Sequence, residues 1–211
     1  MTMMLDTVYS LLLLSNLMLL GSSRLLTQIR LIALQGVLLG VQCFAMPHGV
    51  ARGIILGCMV ILLKGGLFPR LLVRALRESN AHRELEPLVG YTLSFLFGMV
   101  ALGVAAWLSS LLTVPGVRHV LVFPAALMTI LTGMFLVVSR RKALPQLIGF
   151  IALENGIFIT SMALLSHIPL MVELSVLLDV FAAVLVMGIA ICHINREFDH
   201  IDTDQMDTLK G

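Results

Sequence analysis

The stretch Pro145 to Ser166, PQLIGFIALENGIFITSMALLS, carries a single charge, Glu154, near its middle. About 20 apolar residues rising about 1.5 Å each cross a hydrocarbon layer of about 30 Å. A stretch of this kind is therefore a transmembrane helix. A carboxylate at that depth costs about 2.5 kcal/mol or more to insert, and nothing about crossing a membrane requires it. Glu154 is either a proton site or a protonated packing residue that bonds neighbouring helices.

Similar apolar segments recur along all 211 residues. Only 12% of the chain is charged and 59% is apolar, whereas about a quarter of a soluble domain is charged. The sequence predicts an all-α, polytopic transmembrane helix bundle of about seven spans: 4–22, 26–46, 52–73, 88–113, 119–139, 145–166 and 172–194. Turn chemistry or charge marks the breaks, at Gly21-Ser22-Ser23, Met46-Pro47-His48-Gly49, the polar run Arg74 to Pro87, Pro115-Gly116, Arg140-Arg141-Lys142 and His167-Ile168-Pro169. The first segment lacks a basic leader and a small-x-small cleavage site, so it reads as a span and not as a signal peptide. Residues 1–115 form a group of four N-terminal spans, 116–196 a three-helix unit, and 197–211 an acidic cytoplasmic tail. Gly98, Ala101, Gly103, Ala105 and Ala106 suit close helix packing.

With alternating loops, the basic residues separate by side. Arg52 and Arg118 fall on one side; Arg24, Arg30, Arg70, Arg74, Arg77, Arg83, Arg140, Arg141, Lys142, Arg196 and Lys210 fall on the other. The positive-inside rule then puts the N-terminus outside and the C-terminus in the cytoplasm. An even number of spans would spoil this separation. The net charge of +2 is too small to imply nucleic acid.

Lys64 lies in CMVILLKGGLFPRLL, too deep in the third span for easy snorkelling. Gly65, Gly66 and Pro69 follow it, which predicts a kink or a broken turn, tolerated at depth against protein or a wet cavity. At about 1.5 Å per residue, Lys64 lies about 16 Å from the outer edge and Glu154 about 14 Å from the cytoplasmic edge. The two are nearly level. Asp179 lies a few ångströms further out in the seventh span, and Glu173 sits at that span's rim. Lys64 is expected to interact, directly or through water, with Glu154 or Asp179. Gln28, Gln35 and Gln42 recur every seven residues as a polar stripe, for interhelical hydrogen bonding or for lining a wet path. Asn155 follows Glu154 as a possible accessory group.

Other chemistries find no support. The six histidines (48, 82, 119, 167, 193, 200) all fall near loops, where none can face another as a haem ligand. Cys43, Cys58 and Cys192 stand singly in apolar runs, without the clustering of a metal site. The tail EFDHIDTDQMDTLKG lacks the glycine and closing glutamate of a calcium loop. No phosphate-binding glycine loop or nucleophile elbow is present.

The segments SRRKALPQLIGFIALENG and VELSVLLDVFAAVLVMGI, with the tail ending DTLKG, resemble component E of hydrogenase-4 and formate hydrogenlyase-type membrane complexes. Residues 119–196 are also similar to the small three-helix antiporter-like subunit of complex I. When Ile148-Gly149 and Asn155 are matched to that subunit, Ile151 occupies its glutamate position and Glu154 sits three residues later; Asp179 is likewise displaced. The resemblance implies a non-catalytic subunit of an oxidoreductase complex in a bacterial or archaeal cytoplasmic membrane. It would lie between antiporter-like subunits and the membrane anchor subunit of a hydrogenase complex. It would bind no cofactor itself, with NiFe and Fe-S centres on partner subunits. Glu154, Lys64 and Asp179 would contribute to a mid-membrane proton (or sodium) path, with Asn155, Glu173, Gln35 and Gln42 as accessories. Two alternatives stand beside it, a purely structural membrane-arm subunit and a small subunit of a multisubunit cation/proton antiporter.

Overall fold

The computed structural model of the chain describes residues 2–44, 50–78, 89–111, 120–140 and 142–164, together with Val184 and Gly188. In order they form α1 (Thr2–Gly21), α2 (Leu25–Phe44), α3 (Val50–Val60), a π-helical segment (Ile61–Leu67), α4 (Phe68–Glu78), α5 (Tyr91–Leu111), α6 (Val122–Ser139) and α7 (Ala143–Leu164). No β-strand occurs among the described residues. Six helices are long and apolar enough to cross a membrane: Met3–Gly21, Leu25–Phe44, Gly53–Arg77, Tyr91–Leu111, Val122–Ser139 and Ala143–Ala163. Five match the expected spans to within three residues. Apart from Val184 and Gly188, the expected seventh span, 172–194, lies outside the described residues, as does the acidic tail 197–211.

The third span departs from expectation in two ways. It continues as helix past residue 73, through the arginines that read as the start of a loop. The reason is an amphipathic switch: Leu72, Ala75 and Leu76 are buried while Arg70, Arg74 and Arg77 are exposed, so the polar residues lie on an outer face. At Gly65-Gly66-Pro69, where a kink or a broken turn is expected, the helix continues without a break and widens into the π-helical segment. Pro69 has no N–H to donate and its ring crowds the carbonyl four residues back. The backbone N–H of Phe68 reaches back five residues to the Leu63 carbonyl, so the π turn absorbs the misfit before the proline.

Close approach of helices depends on glycine. A Cβ at Gly36 on α2 would sit 2.7 Å from the Lys64 backbone, so α2 packs directly on the π segment. Between α6 and α7, a Cβ at Gly133 would lie 2.6 Å from the Leu153 Cα, and one at Gly149 would lie 2.8 Å from the Val137 nitrogen. The small-residue set on α5 divides: Gly98, Ala101 and Ala105 face the bundle, whereas Gly103 and Ala106 are exposed. Their spacing explains the split, because 98, 101 and 105 share a helical face that 103 and 106 do not.

Two apolar cores occupy opposite ends of the bundle. One contains Leu19, Leu20, Ile32, Leu72, Leu136 and Ile148. The other contains Tyr9, Leu12, Leu39, Val60, Ala126 and Ile159. The layer between them is polar.

Candidate functional site

The π segment, α1, α2, α6 and α7 each contribute a polar side chain to this middle layer from within an apolar run. Lys64 Nζ lies 2.6 Å from Glu154 Oε1, joining the π segment to α7, and both side chains are 2% exposed. The same ammonium donates to Asn155 Oδ1 at 3.2 Å. Asn155 Nδ2 donates to Gln35 Oε1 on α2 at 3.3 Å. Gln35 Nε2 in turn donates to Asn16 Oδ1 at 2.9 Å and to Ser15 Oγ at 3.0 Å, both on α1. Asn16 Nδ2 donates to Thr129 Oγ1 on α6 at 2.7 Å. One hydrogen-bonded chain thus crosses the bundle through five elements, and all its side chains are buried.

The geometry of the charged end follows from the local sequence. The π turn places Lys64 over α7, where Phe158, one turn after Glu154, sets its ring 5.7 Å from the ammonium. Gly36 keeps α2 low enough for Gln35 to reach Asn155. At the other end, Thr129 also donates its hydroxyl proton to the Ala125 carbonyl at 2.6 Å, which leaves its oxygen free to accept from Asn16. The remaining glutamines of the stripe work separately. Gln42 Nε2 donates to the Tyr9 hydroxyl at 3.1 Å, and Gln28 Nε2 to the Ser22 carbonyl at 2.9 Å.

Of the residues singled out from sequence, the structure brings Lys64, Glu154, Asn155 and Gln35 together and sets Gln42 apart beside Tyr9. Asp179 and Glu173 lie outside the described residues. Sequence reading missed Ser15, Asn16 and Thr129. The adjacent Ser15-Asn16 within LLLLSNLMLL was the available signal, two polar residues where apolar ones suffice.

A second buried cation stands at the end of α6. Arg140 is 1% exposed, and the Tyr91 ring lies 5.3 Å from its guanidinium carbon. Its Nε, Nη1 and Nη2 make no hydrogen bond to any described residue. Burial lowers its pKa from the ordinary arginine value. Among the described residues no three His, Cys, Asp or Glu side chains gather to hold a metal ion.

Comparison with known proteins adds a relative that spans most of the chain. The uncharacterized protein Rv0085 of Mycobacterium tuberculosis is 33% identical over 189 residues, covering 86% of this chain and 84% of that protein. The chain belongs to the Rv0085 family. Hydrogenase-4 component E of Escherichia coli K12 and of Shigella flexneri is 32% identical to this chain over 81 residues. That match covers 38% of this chain and 38% of component E, so it is partial. No family model matches the chain, and no solved structure matches it.

Proposed function

We propose that this multi-pass membrane protein is a non-catalytic subunit of a complex I-related, energy-converting NiFe hydrogenase of the hydrogenase-4 or formate hydrogenlyase type. In this reading it has seven spans, with the N-terminus outside and the C-terminus in the cytoplasm of a bacterial cell. Its partners are antiporter-like subunits and the membrane anchor of a hydrogenase module, and that module carries the NiFe and Fe-S centres. Its own contribution is the Lys64–Glu154 pair, one station in a mid-membrane ion path. Asp179 is a further candidate station on the seventh span.

The observation that carries this reading is the 2.6 Å contact between Lys64 and Glu154 inside two apolar helices. Charged groups at that depth are costly, and where they occur they mark ion and proton paths. The partial similarity to hydrogenase-4 component E supplies the kind of complex. Glu154 can hold or release a proton, and Lys64 stabilises the carboxylate when the proton leaves. The amide and hydroxyl groups from Asn155 to Thr129 fix the pair's orientation.

A second reading rests on that same network. Five elements tied by buried amides and hydroxyls are also what a purely structural subunit requires. Glu154→Gln keeps size and hydrogen bonding but cannot release a proton, whereas Glu154→Asp keeps the acid. With both variants in assembled complexes, the ion-path reading expects pumping largely lost in Gln and partly kept in Asp. Near-normal pumping in both would favour the structural reading.

A further inference from the structure

A groove of about 410 Å³ opens on the outer surface of the third span, beginning beside Lys64 and running to the end of α4. Gly65, Gly66, Pro69 and Val73 form its inner part. Arg70, Arg74 and Arg77 line it towards the helix end, and all three are exposed. Their spacing of four and then three residues places the guanidinium groups on one face. Helical side chains lean toward the preceding turn, and Arg70 Nη1 lies 3.7 Å from where a Cβ on Gly66 would stand. Arg70 is therefore laid along the groove.

We infer that this groove binds an anionic phospholipid, with an acyl chain against the glycine and proline floor and the headgroup phosphate among the three arginines. Length supports the assignment. The twelve-residue separation from Gly65 to Arg77 rises about 18 Å, against about 15 Å for one leaflet of a 30 Å hydrocarbon layer. Glycine, proline and valine line the inner part beside the Arg70 side chain, and Arg74 and Arg77 follow towards the helix end, as a phospholipid changes from acyl chain to phosphate. A planar guanidinium donates two parallel hydrogen bonds to phosphate oxygens. A carboxylate from a neighbouring chain would match the rim but leaves the apolar floor without an occupant.

The inference is independent of the ion-path reading, because its test reads lipid binding and not pumping. The full-length chain in detergent is titrated with phosphatidylglycerol or phosphatidylcholine, and retained lipid is counted by native mass spectrometry. The expected result is preferential retention of phosphatidylglycerol. Juxtamembrane arginines each strengthen anionic-lipid binding by about fivefold, so Arg70→Gln/Arg77→Gln should weaken retention by at least about fivefold. Arg24→Gln/Arg30→Gln on α2 removes two arginines outside the groove and should weaken retention less than the groove pair does. Equal retention of the two lipids by the wild-type chain overturns the inference even if the variant fails to fold, and would assign the rim to acidic residues of a neighbouring chain. Unchanged retention in the folded Arg70→Gln/Arg77→Gln variant overturns it as well.

Discussion

Lys64 and Arg140 are the two deeply buried cations among the described residues, and they are handled in opposite ways. Lys64 is 2% exposed, touches a carboxylate at 2.6 Å and feeds a chain of hydrogen bonds across the bundle. Arg140 is 1% exposed and lies against the Tyr91 ring, with no hydrogen bond from its guanidinium to a described residue. Burial alone thus does not single out a candidate for ion transfer. What distinguishes Lys64 is the machinery around it: a π turn that aims it, a glycine on α2 that admits that turn, and five elements that each commit a polar side chain to the same layer. Arg140 follows the last residue of α6, at the end of a span and not at its middle.

The contrast can be broken by removing each cation. Lys64→Met strands a buried carboxylate, and losing one partner of a buried pair costs about 3–5 kcal/mol. The variant should show the largest fall in thermal stability in detergent and a loss of pumping beyond any loss of assembly. A stability within about 0.5 kcal/mol of wild type would be of the size ordinary surface substitutions give, and would mean that the pair is not formed. Asn16→Leu comes next. It removes an acceptor from Gln35 and a donor to Thr129, and unsatisfied buried groups cost about 1–3 kcal/mol. Unchanged melting would remove α1 from the layer. The smallest effect belongs to Arg140→Met, where the lost ring contact, about 2 kcal/mol for a desolvated cation, is offset by no longer burying a charge. A loss of about 3–5 kcal/mol, the size expected when a buried ion pair is broken, would show that Arg140 is as tightly engaged as Lys64 and would erase the comparison.

Much of this was readable from the sequence. Six spans follow from apolar run length, and Lys64, Glu154 and the glutamine stripe were visible as polar residues in apolar surroundings. Depth arithmetic put Lys64 and Glu154 on one level, but only the helix packing shows α7 beside the π segment. Thr129 gave no signal of its own, because a threonine bonding back to the carbonyl four residues earlier is common in membrane helices. Gly65-Gly66-Pro69 signalled a backbone irregularity correctly, yet its form depended on α2. Gly36 packs directly on the Lys64 backbone at this turn. The extension of the third span through Arg77 was hidden by charge, since counting polar residues obscured their confinement to one face.

The central claim is that Lys64 and Glu154 form one unit whose proton chemistry matters more than its packing. The most direct test is proton pumping by the assembled complex carrying Lys64→Met together with Glu154→Gln. The double substitution removes both charges, so the penalty of stranding either one disappears and stability and assembly should recover most of what Lys64→Met loses. Pumping should stay absent, because the site no longer holds an exchangeable proton. Recovery of pumping along with assembly would contradict the account and leave the pair as structural glue.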